Sequence, residues 1–91
     1  MLCRNILIVE DDLSIRQSMR DVLEISGYTV YTAANGAEGL EMLELLAGAS
    51  CVILIDMTMP KMNGWQFLDV QRTDPRYKNI PVVICAAYEE I

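Results

Sequence analysis

Long apolar runs are missing from this chain. Its uninterrupted hydrophobic stretches fall far short of the roughly 18 residues a membrane-spanning helix requires. The N-terminal "MLCRNILIVEDD" reaches acidic residues too soon for a secretory signal, and its apolar run is too short. Cysteine is sparse and unpaired in pattern. Cys3, Cys51 and Cys85 are odd in number, widely spaced and without a C-x-x-C arrangement, which predicts reduced thiols in a cytoplasmic protein with no metal or redox role. Positive charge is also scarce: 7 Lys and Arg against 13 Asp and Glu leave a net charge of −6. That balance disfavours nonspecific binding to nucleic acid or anionic lipid, and Arg72, Arg76 and Lys78 are too few and too scattered for a nucleic-acid surface. Gly36 and Gly39 in "NGAEG" do not form a phosphate-binding G-x-G-x-x-G, and no such loop follows the first apolar segment. Internal repeats, low-complexity tracts and interdomain linkers are missing too. The longest irregular stretch is "TDPRYKNIP", an ordinary loop length.

What is present is a chain of 91 residues, 53% of them hydrophobic, with a mean hydropathy of +0.25. The length permits one small domain, residues 1–91. Two kinds of segment alternate. Asn5–Val9, Tyr28–Ala33, Cys51–Ile55 and Val82–Ala86 are short and rich in β-branched residues, and are predicted strands. Three of them are apolar on both parities, as strands covered on both faces are, while "YTVYTA" alternates like an edge strand. Between them lie segments of helical period. Ser14–Ser26 carries the stripe Ile15, Met19, Val22 and Leu23, and Gly27 stops it. Gly36–Ala47 carries Leu40, Leu43, Leu46 and Ala47. Gly64–Arg72 turns Phe67 and Leu68 inward with Gln71 at the margin, and Asp74-Pro75 ends it. Ser14 with Gln17, Asn35 with Glu38 and Asn63 with Gln66 each have capping-box spacing. The order β-α-β-α-β-α-β, with right-handed crossovers, predicts an open, mostly parallel, doubly wound α/β sheet.

In such a sheet ligands bind beyond the carboxyl ends of the strands, where strand order reverses. The first strand runs into Glu10-Asp11-Asp12 and the third into Asp56. Glu10-Asp11-Asp12 alone could be a solvated acidic turn favouring the helix that follows. Asp56 alone could simply terminate a strand. If the two strands are neighbours, the acids meet, and carboxylates a few ångströms apart repel unless a cation joins them. A hard divalent ion such as Mg²⁺, which prefers oxygen ligands, suits that arrangement. A carboxylate screened in this way can attack a phosphoryl group to give an acyl phosphate.

The combination of "ILIVEDD", "S-IR" and "VILIDMTMPKMNG" resembles the receiver domain of bacterial two-component response regulators, and "IPVVICAA" fits that family's fourth strand. The resemblance extends over the whole chain. It implies a flavodoxin-like sheet of strand order 2-1-3-4, lacking the family's last helix-strand-helix unit, which would need roughly 30–40 further residues. It implies a metal site at Glu10, Asp11, Asp56 and the backbone carbonyl of Thr58, with Mg²⁺ as cofactor. Asp56 becomes the phosphoacceptor, and a histidine kinase or phosphotransfer protein the partner.

The chain departs from the family pattern at two places. Ala86 stands where the family has a Ser or Thr that hydrogen-bonds the phosphoryl group. The family's phosphate-contacting Lys, which follows the fifth strand, has no counterpart; Lys61 is not that residue. These departures leave open an alternative: a truncated receiver acting as a phosphorylation-independent interaction module. The open fourth-strand edge predicts a homodimer or larger assembly that covers it. An aspartyl-phosphate hydrolase would resemble D-x-D at the nucleophile; Thr58 occupies the second position, so the expectation is a signalling domain, not an enzyme.

Overall fold

A computed structural model of the chain describes residues 3–46, 49, 52–56 and 64–84. Its elements follow in the order β1 (Asn5–Val9), α1 (Leu13–Ile25), β2 (Thr29–Ala33), α2 (Gly36–Leu46), β3 (Val52–Ile55), α3 (Gly64–Thr73) and β4 (Val82–Ile84). The strands form one sheet of order β2-β1-β3-β4. Every neighbouring pair is parallel: Ile6 lies level with Val30 and Val52, and Ile55 with Val9 and Ile84. This is the doubly wound order expected, with β2 at one edge as its alternating pattern predicts.

Strand alternation divides the core. Leu7 and Val9 of β1 join Ile53 and Ile55 of β3 on one face, where Leu43 of α2 and Phe67 and Leu68 of α3 cover them. Ile6, Ile8 and Val30 turn to the other face, under Met19 and Leu23 of α1. The α2–α3 side is the better packed. A Cβ on Gly39 would stand 2.9 Å from Phe67 Cε1 and 3.1 Å from Val9 Cγ2, so only glycine lets α2 approach this closely. On the other side, α1 has no buried residue. Among the described residues it alone covers that face, and Val22 and Val83 remain 63% and 49% exposed.

Several local expectations are corrected. The first helix begins one residue early, and its cap is Asp12, not Ser14: Asp12 Oδ1 accepts from the Ile15 N–H at 3.0 Å. A carboxylate at this position satisfies an otherwise unpaired amide and favours the positive end of the helix. Of the α1 stripe, Met19 and Leu23 are half-buried while Ile15 and Val22 face outward, because the sheet beneath them is covered by one helix only. Gly27 ends this helix with φ +98°, a left-handed conformation that favours glycine. The second helix has the predicted Asn35 cap. Asn35 Oδ1 accepts from the Glu38 N–H at 2.9 Å, and Glu38 reaches back to the Ala34 N–H.

Gln71, expected at the margin of α3, is 1% exposed. Its amide donates to the carbonyls of Tyr77 and Ile80 at 2.6 and 3.2 Å, tying the α3–β4 loop to the helix. Cys3 is disulfide-bonded, which departs from the reduced thiols that cysteine spacing predicts. The expectations placed on Cys51, Thr58, Lys61, Asn63, Cys85 and Ala86 lie outside the described residues. No helix of the described residues is long and apolar enough to cross a membrane.

Candidate functional site

The strand order makes β1 the point of reversal, with β2 on one side and β3 on the other, and the crevice lies at the carboxyl ends of β1 and β3. The ladder continues one residue past each strand: the Glu10 N–H donates to Ala33 O at 3.0 Å, and the Asp56 N–H to Val9 O at 2.9 Å. The two acids are therefore set in register by the same hydrogen bonding that forms the sheet. Glu10 and Asp56 are buried, at 6% and 5% exposure, and Asp11 is exposed. Each offers a carboxylate oxygen, and all three oxygens lie within 4.8 Å of one another. Residues 45 positions apart, Asp11 and Asp56, thus meet as the strand pattern predicts.

The electrostatics follow from this crowding. The Glu10 carboxyl is pushed from 4.5 up to about 7, chiefly by burial. The backbone N–H of Asp12, which donates to Glu10 Oε2 at 3.1 Å, works against that rise; the charge of Asp56 and the neighbouring Asp11 add to it. A carboxyl that holds its proton near neutrality for want of a counter-charge is one that a cation would stabilise in the ionised form. Three hard oxygen donors, two of them held by a rigid sheet, fit a small divalent ion such as Mg²⁺.

Two further residues shape the site. Arg16 Nη1 donates to the Glu10 carbonyl at 2.7 Å, clamping the β1–α1 connection across the first turn of α1. Asp12 caps the helix and presents its amide to Glu10, so it fixes the acids in place from outside the trio. Neither role is visible in composition. The signal for Asp12 was its position one residue before the helix, and the "IR" of "S-IR" marks Arg16 without saying what it holds. Thr58 and Ala86 lie outside the described residues.

Comparison with known proteins agrees with this geometry. The family model described as "Response regulator receiver domain" matches residues 6–91. The response regulator protein FleR of Pseudomonas aeruginosa is 35% identical over 87 residues, which cover 96% of this chain and 18% of FleR. The chain therefore spans under a fifth of that relative's length. Among solved structures, the chemotaxis protein CheY4 of Vibrio cholerae superposes with a TM-score of 0.87 at 32% identity, over 98% of this chain and 72% of that one. The phosphorylated cyanobacterial phytochrome response regulator RcpA gives a TM-score of 0.85 at 27% identity, over 98% and 69%. Fold, acidic pocket and sequence point the same way: this chain belongs to the response regulator receiver domain family.

Proposed function

We propose that the chain is a single receiver domain that accepts a phosphoryl group on Asp56 from the phosphohistidine of a histidine kinase or phosphotransfer protein. The observation that carries this reading is the meeting of the Glu10, Asp11 and Asp56 carboxylates within 4.8 Å at the carboxyl ends of adjacent parallel strands. An Asp56 oxygen attacks phosphorus, the phosphorus–nitrogen bond breaks, and the imidazole leaves with the electron pair. The product is an acyl phosphate on Asp56. Glu10, Asp11 and Asp56, with the Thr58 carbonyl that the family pattern adds, would hold Mg²⁺, which when bound would supply positive charge to the phosphoryl oxygens. Each domain takes up one phosphoryl group, so the role is that of a cytoplasmic switch and not of a turnover enzyme. RcpA, a similar fold, is described as phosphorylated, which supports the same chemistry here.

The assembly we propose is a homodimer or larger oligomer that covers the β4 edge of the sheet, with the exposed Val22 and Val83 beside it. Light scattering from micromolar to millimolar concentration checks it, and a monomer throughout overturns it.

Phosphorylation is tested with acetyl phosphate and Mg²⁺, read by intact mass. Uptake of one phosphoryl group that disappears in Asp56→Asn or in EDTA is expected. No uptake under any donor condition would sink the proposal and leave a phosphorylation-independent interaction module.

A further inference from the structure

The half-buried residues of α1 are Arg16, Met19 and Leu23. Their helical spacing marks the stripe that faces the sheet. Met19 and Leu23 pack against Ile6, Ile8 and Val30, as apolar residues on such a stripe do. Arg16 heads the stripe, and a guanidinium placed there needs a polar partner. The end of β1 supplies one. The Val9 carbonyl takes the Asp56 N–H, and the Glu10 N–H goes to Ala33 O. The next carbonyl, that of Glu10, takes its hydrogen bond from Arg16 Nη1 at 2.7 Å.

That bond reaches further than the atom it satisfies. The Glu10 carbonyl and the Asp11 N–H share one rigid peptide plane, so a hold on the carbonyl sets the direction in which Asp11 leaves the sheet. The rest of Glu10 is fixed separately: its N–H belongs to the ladder, and its Oε2 accepts from the Asp12 N–H at 3.1 Å. Asp11 is exposed and belongs to neither β1 nor α1, and the Glu10–Asp11 peptide is its link to the sheet.

We propose that Arg16 is a positioning residue: by holding the Glu10 carbonyl it orients the Glu10–Asp11 peptide and keeps the Asp11 carboxylate beside those of Glu10 and Asp56 for a divalent cation. The proposal rests on the reading of that trio as a Mg²⁺ site. Two effects of the guanidinium oppose each other. Its charge repels a cation held nearby, so its removal alone should tighten Mg²⁺ binding. Its hydrogen bond orients ligands, and loss of such an outer contact weakens metal binding by roughly 10–100-fold. The second effect wins, because the pocket is open to water at Asp11, and water and salt screen a charge without replacing a directed bond. The sign of the change therefore separates the two roles.

Arg16→Met keeps the apolar stem and removes both donor and charge. Arg16→Lys keeps a donor, and one suffices, since a single guanidinium nitrogen bonds the carbonyl. Calorimetric titration with MgCl₂ should give a Kd about tenfold higher in Arg16→Met than in the wild type, with Arg16→Lys within about threefold of the wild type. In EDTA, nuclear magnetic resonance should show the Asp11 amide resonance shifted and broadened in Arg16→Met. The Gly39 amide of α2, bonded to Asn35 O, should keep its position, which a general loosening of the fold would not allow. Unchanged or tighter Mg²⁺ binding in Arg16→Met overturns the proposal, as does a loss that Arg16→Lys shares in full. Should the wild type take up no Mg²⁺, the metal reading of the trio fails and the Asp11 resonance decides the positioning role: a shift in Arg16→Met upholds it, and an unmoved resonance overturns it.

Discussion

The acidic pocket is a place where the metal-free fold is held under electrostatic load, and Glu10→Gln measures that load. The folded protein holds the Glu10 proton up to about pH 7, against an ordinary carboxyl value of 4.5. Between those values the folded state binds more protons than the unfolded one, so stability falls as pH rises through this window and is lowest above it. At about 1.4 kcal/mol per pH unit the shift sets an upper limit of about 3.5 kcal/mol. Asp11 is exposed and admits water and salt to one side of the cluster, which reduces the effect to about 1–2 kcal/mol. In a domain of this size that is a Tm loss of roughly 5–15 °C. The assay is thermal unfolding in EDTA from about pH 5 to about pH 8. Wild-type Tm should drop across the range, while Glu10→Gln, with a neutral amide of similar shape, should not share that component. Millimolar Mg²⁺ should restore wild-type Tm at the alkaline end and restore Glu10→Gln less. A wild-type Tm that stays level, or a mutant that falls equally, refutes the claim that burial, with the neighbouring acids, holds the proton on Glu10.

Three other perturbations test the scaffold. Gly39→Ala drives a Cβ against Phe67 and Val9 and should cost about 1–3 kcal/mol in urea unfolding, since both neighbours belong to the close-packed core. Gln71→Ala removes the donor to the Tyr77 and Ile80 carbonyls. It should cost about 1–3 kcal/mol, with faster amide exchange in the loop between α3 and β4. Asp12→Ala removes the α1 cap and should cost about 1 kcal/mol by denaturation.

The parts of the fold legible in the sequence were those where one residue type has one physical use. Apolar segments of strand length separated by helical periods imposed the β-α alternation, and acids closing two apolar strands marked the pocket. Gln71 was less legible because amphipathic pattern treats an amide as surface. It falls on the same stripe as Gly64, Phe67 and Leu68, and burial is sustained by two loop carbonyls that only the folded chain brings near. The α1 stripe misled in the opposite sense. Ile15 and Val22 are apolar at the correct spacing, yet whether a helix face is covered depends on what lies beside it, not on its own periodicity.

Helix α1 has a consequence for timing. It supplies Arg16 and the Asp12-capped first turn, which hold Glu10, yet it buries none of its own residues. Elements with little buried apolar surface open at lower free energy than the global transition. Asp11 and the contacts that orient the Glu10 side chain therefore depend on the most weakly anchored helix described, while Asp56 stands on a strand flanked on both sides by β1 and β4. The arrangement of the acids is then itself a fluctuating quantity. Local opening of α1 frees Asp11 and removes the Asp12 and Arg16 contacts of Glu10, while the sheet ladder still holds the Glu10 and Asp56 backbones, and a cation joining the acids would slow that motion as well as neutralise charge.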